Sequence, residues 1–571
     1  MSTIFNRFYS SELAKLRSLS VEFSKANPAI APMLAAESTD PDVERLLEGV
    51  AFLNGLTLQK LDDEFPEIAQ ELAAILAPQM LRPLPASTLI QFTPKVDLSE
   101  TAVIAAGTEI ASVPVDGVQC TFRTTAALNI FPVKLSGADI AQGSDGQHTL
   151  TMGFTLTADN RPLSIRVFLG DEDGAAAQWL MLFSRKIKSM RLVGSNGYAI
   201  TLPPKARLAG FDDALIPYPG NAFPGFRNLQ ELLFFPQKFL FVEFPLQGVT
   251  SASVGTNFRL EINFGKLTGQ IPEITEQSFM LNVVPAINLF EHAAEPILLD
   301  HQNTEYLVLP QGVDKKYFQI YAIDSVTGYR QGSSEHKSYV PFSMLNFADA
   351  RDRPSYRTSV RPSVINEQIE TYISVTYDPD KAPIPETLSI NLQCTNRDLP
   401  ESLRLGDVCR PTGNSPERFN FRNIKPVSPA LEPPRGETLL WNLIGHSAIN
   451  LLSIGNTKNF TSILRHYNYH RSQDHTAWIS NERYVDGIVD LRVERESRLL
   501  RGVVIQGQKI LLIVNEANWP NSGALYLWGS VLNDFFACYA GINSYTRFEI
   551  EDPVTGTTFT WPLRLGEKPL L

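Results

Sequence analysis

Three histidines crowd the stretch RHYNYHRSQDH, at His466, His470 and His475. The first two stand four residues apart, which on one helix would put both rings on the same face at a spacing that can hold zinc. No glutamate lies between them in the HExxH arrangement, and Tyr467, Tyr469 and Arg471 share the same turn, so packing and hydrogen bonding are the expected roles. A second group lies in EHAAEPILLDH, where His292 and His301 accompany Glu291, Glu295 and Asp300. Such residues could do general acid and base work, although a salt-linked turn on a β-rich surface uses the same set. The four cysteines, Cys120, Cys394, Cys409 and Cys538, form no CxxC pair and no zinc spacing, and read as reduced, mostly buried thiols. No GxSxG, P-loop or GxGxxG stands between a strand and a helix. No catalytic residue, cofactor or metal is assigned from these patterns.

The elements that carry these residues begin with a helical head. Residues 2–26 place Phe5, Tyr9, Leu13, Leu16, Leu19 and Phe23 down one side of a helix that Asn27-Pro28 ends. A short PAIAPMLAA element follows. Asp40 is a good N-cap and Pro41 fits the first helical position. Val43, Leu46, Leu47, Val50, Leu53, Leu58 and Leu61 then recur at three- and four-residue steps, with Phe52 and Leu56 on roughly the opposite side. Pro66 is expected to open a second helix carrying Ile68, Leu72, Ile75 and Leu76. Apolar residues on two sides are more than a small bundle can bury alone.

From Ser87 the period changes to two. TLIQF, TAVIAA, TEIASVPV, QCTFRT, LNIFPVKL, HTLTMGFTLTA and LSIRVFLG are short, β-branched and aromatic, and broken by turn residues. A helix at AAAQWLMLFSRKI interrupts them, and a proline- and glycine-rich loop at residues 216–225 leads to a helical turn and the strand FLFVEF. Antiparallel pairing is the economical topology, since parallel strands need long crossovers. Residues 331–362, with Arg351, Arg353, Arg357 and Arg361, read as a charged surface loop. PVSPALEPPRG reads as a linker. Beyond it, WNLIGHSAINLLSI and FTSILRHYNYH read as helices and GVVIQG and KILLIV as strands. LYLWGSVLNDFFACYAGIN reads as strand into helix, and a hairpin closes the chain. The expected fold class is α+β and multidomain: a helical region at 1–86, β-rich domains at 87–260 and 261–425, and a C-terminal α+β domain at 437–571.

The chain has 571 residues, 43% hydrophobic, 10% aromatic and 19% charged, which is a folded globular composition. A net charge of -11 disfavours nucleic acid and anionic lipid as partners. The N-terminus lacks the apolar core of a signal peptide, and no window approaches about 18 consecutive apolar residues, so a cytoplasmic chain without direct membrane insertion is expected.

Several longer stretches, in order, resemble one family. They are FNRFYSSELAKLR, DPDVERLLEGVAFL with KLDDEFPEI, GTEIASVPVDGVQCTFRTT, LQELLFFPQKFLF, VVPAINLFEHAAEPILLDH, CTNRDLP, LYLWGSVLNDFFACYAGINSYTRFEI and LRLGEKPLL. Together the chain resembles the TssF (VasA/ImpG) subunits of the type VI secretion baseplate. The resemblance implies a structural subunit of a cytoplasmic, phage-like contractile machine. Two copies would join one TssG, TssE and TssK around a VgrG spike hub, and the sheath would be built on that platform. It brings no catalytic or cofactor residues. Val43, Leu46, Leu47, Val50, Phe52 and Leu56 are then the expected contacts with a partner subunit, TssG. Trp441, Phe535, Phe536 and Tyr539 are the expected contacts between two copies. A carboxylate-dependent polysaccharide hydrolase and a sugar-binding β module are the alternatives.

Overall fold

The computed structural model describes residues 3–26, 41–158, 162–220, 222–246, 255–267, 269, 271–330, 336–342, 354–363, 369–376, 385–434, 439, 441–443, 445, 455–472, 474–500 and 502–566. It is a multidomain α+β protein, and most strand pairings are antiparallel. The head consists of α1 (Thr3–Ala26) packed on α2 (Pro41–Leu76). α2 is a single helix of 36 residues that runs straight through Gly55 and Pro66, so the break expected at Pro66 does not occur. The α1 partner and the β layer beneath α2 offset the lost hydrogen bond and the glycine entropy that argued for two helices. The PAIAPMLAA element lies outside the described residues.

Among the described residues five sheets form the middle, of six, five, three, eight and two strands. A six-stranded sheet takes Glu109–Val115, Val118–Thr124, Val283–Ile287, Ser87–Pro94 and Phe419–Asn423 side by side, with Arg410–Pro411 at its edge. It therefore draws on both of the β domains expected from the sequence. The strand Asn257–Gly265, central in a five-stranded sheet, runs through the boundary expected at residue 260. The chain does not divide there. An eight-stranded sheet includes His336–Pro341 and Ser355–Pro362, which corrects the reading of residues 331–362 as a surface loop. Arg351 and Arg353 lie outside the described residues; Arg361 pairs with Glu305 and lies over the Tyr372 ring, 4.6 Å from its centroid.

The proline-rich stretch at 426–434 is ordered along the first strand. Ser428 accepts from the Ser87 N–H through Oγ (2.9 Å) and donates its own N–H to the Ser87 carbonyl (2.8 Å), and Leu431 bridges Leu84. The C-terminal segment therefore continues the middle. Its helices are α5 (Thr457–His466), capped by Asn456, α6 (His475–Asp486), capped by Asp474, and α7 (Ser522–Ala537), capped by Asn521. LYLWGSVLNDFFA is helix throughout, because it crosses between Val503–Val514 and Ser544–Glu551, two strands that pair in parallel. WNLIGHSAINLLSI lies mostly outside the described residues.

α7 packs on α3 (Asp173–Arg185) and on α4 (Gly225–Phe234). A Cβ at Gly523 would stand 2.4 Å from the Gln178 backbone in α3, so glycine alone permits this approach. One continuous core results, reaching from Ala73 in the head through Trp179 and Phe264 to Phe548 and Trp561. The segment 437–571 is consequently one wall of a shared core, not the separable unit that the sequence suggested.

Candidate docking surfaces

The histidines are dispersed by local capping. His466 is the last residue of α5, Tyr467 closes that helix, and His470 sits in a separate turn, so the two rings do not share a helical face. His470 is buried with Nε2 3.0 Å from the Leu233 carbonyl, and His475 stacks on Trp478 at 5.5 Å. Burial lowers the pKa of both His466 and His470. Glu291, Glu295 and Asp300 are exposed. Asp300 accepts from the Gln302 N–H and the Tyr306 hydroxyl, which hold its pKa below the usual value, and His292 Nε2 lies 2.9 Å from the Gln311 carbonyl. These are the turn contacts of a β surface.

Among the cysteines, Cys120 and Cys394 are buried, Cys538 is half-buried and Cys409 is exposed, which corrects the expectation for Cys409. Desolvation pushes the Cys120 thiol up to about 11 and Cys394 up to about 12. Both stay protonated well above neutral pH. A maleimide titration of the native chain at pH 7.5 should label Cys409 first and leave Cys120 and Cys394 unlabelled until the chain is unfolded. Rapid native labelling of Cys120 would contradict this burial.

The head divides α2 into two functional halves. Its C-terminal half is rooted in the chain itself. Gln70 clamps the Val360 backbone from both sides, donating Nε2 to its carbonyl (2.9 Å) and accepting its N–H through Oε1 (3.2 Å). Glu71 pairs with Arg357 at 2.6 Å, Ala73 and Ala77 are buried, and just beyond the helix Gln79 donates to the Tyr467 hydroxyl (3.1 Å). A groove of about 300 Å³ runs along this root, lined in part by Gln70, Arg82, Tyr321 and Glu432. Its carboxylates are engaged: Glu71 with Arg357, Glu432 with Gln319 Nε2 (2.9 Å).

The N-terminal half of α2 behaves differently. Ala51 is buried and Leu47 half-buried, with Arg17 Nε of α1 donating to Glu44 Oε1 (3.0 Å). Leu46, Val50, Phe52, Leu53 and Leu56 are exposed, and so are Leu19 and Phe23 on α1. The side chain of Val43 lies outside the described residues. The sequence singled out Phe52 and Leu56 as the odd pair. Among the described residues of the opposite stripe, Leu46, Val50 and Leu53 are exposed too and Leu47 is half-buried, since α1 alone is too narrow to cover them.

The aromatic residues assigned to pairing of two copies separate. Trp441 is exposed. Phe535 and Phe536 are fully buried, packed on Phe226 (5.2 Å) and on Phe460 (5.5 Å) and Phe548 (5.2 Å). Tyr539 is half-buried against Phe223 (4.9 Å). Phe535 and Phe536 are thus core of this chain, drawn inward because the parallel crossover lays α7 on both α4 and the last sheet.

The family described as Type VI secretion system, TssF matches residues 1–568. The chain belongs to the TssF family. It is 27% identical over 631 aligned residues, covering 99% of each chain, to the Type VI secretion system component TssF1 of Pseudomonas aeruginosa strain PAO1. It is similar to a chain in the type VI secretion TssK-TssF-TssG baseplate subcomplex, with a TM-score of 0.78 and 26% identity over 93% of this chain and 99% of that one. It shares its fold with a chain of the baseplate complex from the type VI secretion system, with a TM-score of 0.63 and 22% identity over 99% of this chain and 100% of that one. Among the described residues no helix is long and apolar enough to cross a membrane.

Proposed function

We propose that the chain is a non-enzymatic structural subunit of a type VI secretion baseplate wedge. It assembles with TssG, TssK and TssE around a VgrG hub, in two copies per wedge, as the platform for the contractile sheath. Its place is the cytoplasmic face of the inner membrane. The observation that carries this reading is the end-to-end match to a chain of a TssK-TssF-TssG subcomplex. The exposed apolar band of Leu46, Val50, Phe52, Leu53 and Leu56 supports it, because an isolated chain gains nothing from leaving that area in water. In this reading the band receives helices of TssG.

Co-expression with the TssG of the same cells tests the assignment. The two chains should elute together at a mass above either alone, and Glu295→Ala, at an exposed carboxylate of the β region, should leave both this complex and secretion intact. A chain that stays alone in the presence of TssG would overturn the assignment. Loss of secretion from a correctly assembled Glu295→Ala baseplate would favour a carboxylate-dependent activity.

A further inference from the structure

The strand Ile488–Leu500 stands at the edge of the C-terminal sheet and is 13 residues long, about twice the usual strand. One side pairs with Val503–Val514 along its whole length; among the described residues, no strand pairs with the other. The backbone N–H of Leu491 points to that open side and is taken by Thr457 Oγ1 at 3.0 Å. Backbone groups alternate between the two sides of a strand, so Val493, Arg495, Ser497 and Leu499 also present theirs outward. Folded proteins usually blunt such an edge with a proline, a bulge, a short strand or charged side chains; this strand carries charges of both signs, at Asp490, Arg492, Glu494, Arg495, Glu496 and Arg498, which repel a mismatched strand but suit a complementary one. Here there is no proline, and the single register shift lies at the far end, between Ile488 and Asp490. At the tip, Leu499, Val503 and Val504 are exposed.

The side chains are arranged for one occupant. Glu494, Glu496 and Arg498 alternate along one face, so an antiparallel copy of the same strand centred on Glu496 sets Glu494 opposite Arg498 twice. On the other face the same register sets Val493 opposite the exposed Leu499 and Arg495 opposite Ser497, and all four outward backbone positions find partners. The one like pair is Glu496 with itself at the axis. Each Glu496 is held within its own chain by Arg498 (2.8 Å) and Arg547 (3.4 Å). Moving the centre to Glu494 calls on the Leu491 N–H that Thr457 already holds, and moving it to Arg498 runs the strand off its tip and sets arginine against arginine.

We propose that this edge pairs antiparallel with the same strand of a second copy of the chain, about a two-fold axis through Glu496, joining the two C-terminal sheets into one. It rests on the two-copy reading above and replaces the buried Phe535 and Phe536 as the place of contact.

The test uses the full-length chain carrying Cys409→Ser, alone and co-expressed with TssG, with the mass of each species measured by light scattering. Glu496→Cys at the axis should give a disulfide-linked dimer under mild oxidation, and Val489→Cys, at an exposed residue outside the paired stretch, should not. Ser497→Pro removes an outward N–H without touching the ladder to Val503–Val514, a place where edge strands tolerate proline; it should leave the chain folded and abolish pairing. Arg498→Glu should weaken pairing about tenfold or more, and Glu494→Arg with Arg498→Glu should restore it. Two copies by mass without a Glu496→Cys cross-link overturn the edge and leave the two-copy reading standing. One copy under every condition overturns both. Loss of TssG in place of the second copy in Ser497→Pro shows that the edge receives a strand of another protein, and also overturns the proposal.

Discussion

Lys238→Met is expected to destabilise the protein by about 3–5 kcal/mol, because it strands a buried carboxylate. Lys238 and Glu231 are both almost completely buried and form a direct ion pair, with the lysine ammonium also 4.7 Å from the centre of the Phe239 ring. The other carboxylate oxygen of Glu231 accepts the N–H groups of Leu215 and Ile216 at 2.8 and 2.9 Å. That fixes the start of the glycine- and proline-rich loop, and the next carbonyl, at Pro217, receives the Tyr321 hydroxyl (3.2 Å) and the Arg82 guanidinium (3.4 Å). The pair is thus wired through four residues to the root of the head. Denaturant unfolding of the purified chain gives the magnitude, and hydrogen exchange at the Leu215 and Ile216 amides should rise with it. Adding Glu231→Gln to Lys238→Met should recover much of the loss, because a neutral amide still accepts from both backbone donors without a stranded charge. A loss below about 1 kcal/mol in Lys238→Met would show that water reaches the pair.

The second large effect is on binding. Phe52→Asp with Leu56→Asp should abolish co-purification with TssG while the chain alone remains folded. The two residues are 39% and 44% exposed, so about two-fifths of their apolar surface is left for a partner to bury. Full burial of such a side chain contributes about 1.5–3 kcal/mol, so alanine at both sites should weaken the complex only about tenfold to fiftyfold. Aspartate goes further, since each carboxylate would have to be desolvated in the contact; a weakening of at least about a hundredfold is expected. Wild-type affinity in the aspartate variant would show that this face does not meet TssG. A misfolded chain would show that the exposed parts matter to the chain's own packing.

Much of this architecture was legible in the residues. Where apolar residues alternate between turn signals, as in HTLTMGFTLTA and LSIRVFLG, strands stand at His148–Leu156 and Ser164–Phe168. The failures share a cause, which is that partners distant in sequence decide. Ile488–Leu500 carries its regular alternation in charges, Asp490, Arg492, Glu494, Glu496 and Arg498, and a search for alternating apolar residues passes over it. Residues 336–341 and 355–362 look like loop until Glu71 and Gln70 of the head and Glu305 are brought to them. The docking band was half legible: periodicity found the apolar positions of α2, but it could not tell that residues near 70–77 face the chain's own β layer while those near 46–56 face outward. Phe535 and Phe536 looked like surface because their burial depends on a parallel crossover that local pattern does not encode.

The continuous core has a consequence for how the molecule comes into being. Its inner walls include Leu150, Trp179 and Phe264, whereas Phe548, Ile550, Phe559 and Trp561, which complete the same core, are made later on the ribosome. At bacterial synthesis rates of about 5–20 residues per second, the early walls wait tens of seconds for the strands and helix that close over them. During that interval the nascent chain leaves apolar wall surface uncovered, and the speed with which the later strands and helix close over it sets how long it is exposed.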